Sequence, residues 1–176
     1  TNATRLLSPP DRALAIAIAA EVCRDLVDLD TLIDSATAQP LAPDVKARTV
    51  LRIALVQALV LGTPPHAAIA TTLPLVEGGP RRLVHGVFGT LMRGHAALPP
   101  VPTLPGAVAE RWAEAWGMAM LAGAELALAS APPLDLSLKD PESTATWAER
   151  LGGTSLMPGH IRLPRETPLN NLWLSL

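Results

Sequence analysis

Apolar residues recur at helical spacing along most of this chain. Ala15, Ile18, Val22, Leu26 and Leu29 fall on one stripe, while Arg12, Glu21, Arg24, Asp25 and Asp28 take the other side. Ser8-Pro9-Pro10-Asp11 supplies the start, with proline in the first turn and an acid near the positive end of the helix dipole. The pattern predicts a helix running to about residue 29 and a short one over 30–39, which Pro40 and Pro43 end. Residues 44–61 predict the longest helix, with Leu51, Leu55, Ala58 and Leu59 inward and Lys46, Arg48 and Arg52 along a basic edge. Gly62 stops it, and Pro64-Pro65 starts another through His66, Ile69, Leu73 and Val76, with Pro74 kinking the last turn. Gly78-Gly79-Pro80 reads as a turn, and 81–93 as a helix whose apolar positions are Leu83, Val84, Val87, Phe88 and Leu91.

The texture then changes. Residues 96–106 carry Pro99, Pro100, Pro102 and Pro105 and read as a stiff connector. Two more helices are predicted over 107–116 and 118–130. Pro132-Pro133 precede an alternation of apolar and polar residues over 135–139 that predicts a half-buried strand. Residues 144–151 predict a helix, and 156–157 and 161–163 predict short strands around Pro158-Gly159. Strand, helix, strand is the first half of a ferredoxin-like α+β unit. The chain thus reads as mainly α, with a helical domain over 1–131 and the opening of a second domain over 132–176.

Composition narrows the classes. There is no Tyr, one Phe and four Trp, so the core is aliphatic. The net charge of -2 excludes a chain that is basic throughout. The charge is uneven: residues 1–95 hold nine basic against eight acidic groups, and residues 96–176 hold five against eight. A polyanion therefore suits the first half better. The single cysteine excludes an internal disulfide and fits a reducing, cytoplasmic setting. The apolar run 13–20 is too short to span a bilayer and lacks a signal-peptide cleavage site.

Candidate chemistry is sparse. Cys23 shares a face with Ile16, Ala20 and Val27 and reads as a buried structural thiol. His66, His85, His95 and His160 have no metal-ligand spacing. Gly86-Val87-Phe88-Gly89 reads as a close helix-packing site. Gly152-Gly153 lacks the strand–turn–helix context of a phosphate loop. No catalytic constellation is present. Arg81-Arg82 at a predicted helix start, where positive charge opposes the dipole, points to a nearby anion or to pairing with Glu77. Arg48 and Arg52, one turn apart, suit phosphate contact or pairing with an acid. With Arg12 these arginines are the candidate contacts for a polyanion, and without exposed aromatics they would read phosphate and shape. Trp112, Trp116 and Trp147 read as core or interface residues, and Leu172-Trp173-Leu174-Ser175-Leu176 as an apolar segment that packs on something.

These segments, taken in order, resemble a family. Asp11-Arg12-Ala13-Leu14, the stretch 51–59, Pro65-His66-Ala67-Ala68-Ile69, Leu83-Val84-His85-Gly86-Val87-Phe88, Trp116-Gly117, the stretch 132–139 and 147–153 are similar to the N-terminal region of bacterial ribosomal RNA cytosine-5 methyltransferases of the RsmB (Fmu/Sun) type. The first part resembles the RNA-binding antitermination factor NusB. The resemblance implies a NusB-like helical RNA-binding domain, then a ferredoxin-like subdomain, then a Rossmann-type domain that binds S-adenosylmethionine and carries the catalytic cysteines. No such domain lies within these residues, and Cys23 does not match those cysteines. His85 stands where the family usually has Asn, and Gly89 where it usually has Arg. The implied function is orientation of small-subunit ribosomal RNA, with no catalysis, cofactor or metal site in this segment and no membrane partner. The alternative is a NusB-type protein-interaction or dimerisation module.

Overall fold

A computed structural model describes residues 4–130 and 132–164. The expectations for Trp173 and its apolar neighbours lie outside the described residues. The chain divides into two compact units, Thr1–Leu126 and Ala127–Leu176.

The first unit is helical: α1 (Pro9–Arg24), α2 (Leu26–Ser35), α3 (Lys46–Leu59), α4 (Pro65–Thr72), α5 (Gly78–Arg93), α6 (Gly106–Trp116) and α7 (Met118–Leu128), the last crossing the division. Helix α3 is the hub and packs against α1, α2, α4 and α5. Its Val50, Leu51, Ala54, Leu55 and Val56 meet Leu29 and Ile33 of α2, Ala68 of α4, and Val84, Val87, Phe88 and Leu91 of α5 in one apolar cluster. Leu51 and Leu55 are fully buried, as their spacing predicts.

Three boundaries differ from the pattern. The break between the first two helices falls at Asp25 and not near residue 30, because Asp25 leaves helical geometry at φ -99° and ψ 20°. Asp25 is buried at this bend, and burial, with the charge of Glu21 added, raises its carboxyl above the usual range. Pro74 closes α4 in a 3-10 turn, Leu73–Leu75, as its missing N–H requires. Gly78-Gly79-Pro80 is the first turn of α5 and not a free turn, since the first N–H groups of a helix have no internal acceptor and proline is tolerated there.

The prolines of 96–106 do not leave a loose connector. The backbone N–H and the hydroxyl of Thr103 both donate to the Asp28 carboxylate, at 2.8 and 2.7 Å, and Pro102 and Leu104 are buried. Helices α1, α6 and α7 are apolar yet shallow. No α1 residue is fully buried, and Cys23 is exposed, contrary to the reading as a buried thiol. Trp116, Met118 and Leu126 are 62%, 68% and 65% exposed. Trp116 holds an edge-to-face contact with Trp112 at 5.9 Å between ring centres. The expectation that no aromatic is exposed is corrected by Trp116.

The second unit pairs β1 (Leu134–Ser137) antiparallel with β2 (His160–Leu163), Asp135 opposite Arg162. Helix α8 (Thr144–Leu151) packs on β2. Thr154 bridges the other edge of β2 through two hydrogen bonds with Arg162, so the predicted strand at 156–157 is replaced by a one-residue bridge nearer the helix. Gly152-Gly153 makes that bridge reachable. Gly152 ends α8 in a left-handed conformation, and a Cβ on Gly153 would lie 2.6 Å from Ile161. Trp147 is half-buried, with the Arg150 guanidinium 4.8 Å above its ring.

Candidate nucleic-acid interface

The five candidate arginines fall into three situations. Arg48 is 3% exposed. Its guanidinium binds Asp30 at 3.1 Å and also meets Asp34 and the Leu41 carbonyl. Arg52 forks onto Asp30 with two bonds of 2.8 and 2.7 Å. Burial by itself would raise the Asp30 carboxyl, but the hydrogen bonds and charges of Arg52 and Arg48 outweigh it and hold the group below its usual range. These acids lie on α2, which packs against α3. The Arg48 and Arg52 part of the basic edge predicted for α3 is therefore an interhelical ion-pair network, and Arg48 presents no free guanidinium to a phosphate. Its Nε, among the described residues, has no hydrogen-bond partner.

Arg12 folds back on the turn ahead of α1. Its Nε and Nη2 donate to the carbonyls of Thr4, Arg5 and Leu7 at 3.0 to 3.3 Å. It is exposed but already holds three acceptors.

Arg81 and Arg82 are different. Because α5 begins at Gly78, they sit at its fourth and fifth positions, past the strongest part of the dipole. The repulsion inferred from a helix start at residue 81 is correspondingly relieved. Both are exposed, and among the described residues neither forms an ion pair with Glu77 or any other acid. Arg81 donates to the Leu73 carbonyl at 3.3 Å, across a cleft of about 350 Å³. Leu73, Arg81, Arg82, His85 and Gly86 line it, with no acid among them. A larger cleft of about 510 Å³, beside the start of α3, carries Lys46 and Glu77 together and so does not select one sign of charge.

The sequence reading found the two arginines but not His85 or Gly86 as their neighbours. The signal was available: Arg81 with His85, and Arg82 with Gly86, are four apart and one turn apart on a helix. The close-packing reading of Gly86 and Gly89 is overturned. A Cβ on Gly86 would meet nothing within 4 Å, and one on Gly89 would meet only the Arg93 side chain.

In the second unit, Asp135 accepts two bonds of 2.8 Å from Arg162 and lies 3.3 Å from His160. The Arg162 hydrogen bonds pull its carboxyl down to about 2. This cross-strand cluster satisfies itself and offers no vacant donor set.

No helix among the described residues is long and apolar enough to cross a membrane. No curated protein and no solved structure matches the chain. The family model of NusB matches residues 1–86, which span α1 to α4 and the part of α5 that carries the cleft. Those residues are a NusB-like region of the chain.

Proposed function

We propose that this chain is an RNA-binding module whose helical unit meets the RNA backbone through the cleft of Arg81 and Arg82. The observation that carries the reading is the position of this acid-free basic cleft within the NusB-like region. Arginine forks match phosphate oxygens, and an exposed pair without carboxylate partners gives up no internal bond to an acid on binding. Arg48 and Arg52 serve this reading indirectly, by holding α3 to α2.

The finer reading is that the module is the N-terminal portion of an S-adenosylmethionine-dependent ribosomal RNA cytosine-5 methyltransferase, orienting small-subunit RNA. The order β1, α8, β2, with Thr154 on the far edge of β2, supports a ferredoxin-like subdomain after the helical one. In that reading the methyl donor binds a domain outside these residues. No chemical step falls to this segment.

A second reading has its own observation. The exposed Trp116, Met118 and Leu126 suit a protein partner or a second copy of the chain. The two separate in one experiment: binding of a small-subunit ribosomal RNA fragment across a salt series, with sedimentation of the protein alone. Affinity that falls steeply with salt supports the RNA module. No affinity at low salt, with a mass near twice 18.5 kDa, would shift the reading to the interaction module.

A further inference from the structure

Gly86 sits in the middle of a 16-residue helix, where glycine destabilises relative to alanine. The usual structural reasons for glycine are missing. Its φ is not positive, and its open side touches no neighbouring element within 4 Å. Gly86 also lines the cleft, together with Leu73, Arg81, Arg82 and His85, and Arg82 lies one turn before it. The cleft volume of about 350 Å³ falls in the range of small-ligand sites, about 300–1,000 Å³. A side chain at residue 86 would project into open space among these residues.

We propose that Gly86 is the floor of a seat for one nucleotide of a bound RNA strand. Arg81 and Arg82 take the phosphates that flank the nucleotide, and the flat backbone at Gly86 lets the base or sugar lie between His85 and Leu73. Phosphate alone needs no open floor. The combination of two guanidiniums with an uncovered helix surface asks for an anion that carries a flat, partly apolar body. This inference rests on the RNA-binding reading and deepens it.

The test uses the whole chain, a labelled single-stranded RNA of about a dozen nucleotides, and an inorganic polyphosphate of similar charge. Gly86→Gln, and more mildly Gly86→Ala, are expected to leave the melting temperature equal to or above that of the unaltered protein. Gly86→Gln is expected to weaken RNA about tenfold or more and to leave polyphosphate binding nearly unchanged. Gly123→Gln is the control: Gly123 also has an open side within a helix but does not line the cleft, and RNA affinity should not move. Undiminished RNA affinity in Gly86→Gln would overturn the seat. If Arg81→Gln/Arg82→Gln still weakened binding, the RNA reading would survive that result. Equal losses for RNA and polyphosphate would also overturn the seat, because polyphosphate has no base to place.

Discussion

Arg48 and Arg52 of α3 and Arg81 and Arg82 of α5 are two pairs of arginines with opposite fates. Arg48 and Arg52 point at α2, which presents Asp30 and Asp34, and their charge is spent inside the fold. Arg81 and Arg82 rise from a helix whose nearby acid, Glu77, does not pair with them among the described residues, and their charge faces water. Residue type does not distinguish the pairs. The difference is set by which helix lies across from each, so a basic residue becomes a candidate contact only after its internal partners are known.

The contrast can be broken most severely at Arg48. Arg48→Ala removes the buried centre of the network, strips Asp34 of its partner and leaves Asp30 with Arg52 alone. Unfolding in urea should show a loss of about 3 kcal/mol, the low end for a buried pair, because both acids keep some access to water. Arg52→Ala should cost less, about 1.5 kcal/mol, since Asp30 keeps Arg48. By contrast, Arg81→Gln and Arg82→Gln should each change stability by no more than about 0.5 kcal/mol, as exposed residues without ion pairs. A loss near that of Arg48→Ala would mean that α5 depends on its arginines for folding and would erase the contrast.

The same comparison predicts acid behaviour. Asp30 has a folded-state pKa held below its unfolded value, so its pairing stabilises above about pH 4 and is lost as pH falls through the depressed value. Asp30→Asn should remove that part of the acid sensitivity of the helical unit, read as a flatter stability curve below pH 4. Asp135 follows the same sign in the second unit, with its contribution fading between about pH 4 and its folded value of about 2. It is the smallest effect expected here, because the pair is open to water.

What the sequence made legible follows from the range of each interaction. The apolar stripe of α3 is a local pattern, and Leu51 and Leu55 sit where it places them. Helix α8 begins at Thr144 and ends at Leu151 as its pattern predicts. Longer-range facts are absent from the pattern. Asp34 is 14 residues from Arg48, and Asp28 is 75 from Thr103, so neither the buried network nor the tethered connector shows in a stripe. Alternation likewise could not reveal that Gly153 is required by its approach to Ile161. The candidate site was half legible. The arginine pair stood out, but its setting depended on where α5 begins, and three residues at Gly78-Gly79-Pro80 moved that start by a full turn.

The central claim is that Arg81 and Arg82, and not the α3 pair, provide phosphate contacts. Its most direct test is RNA affinity measured across a salt series for the unaltered chain and for Arg81→Gln/Arg82→Gln. Losing two contacts should weaken binding at low salt and reduce the slope of log affinity against log salt by about two. An unchanged slope and affinity in the double variant would contradict the account and place the RNA surface elsewhere on the molecule.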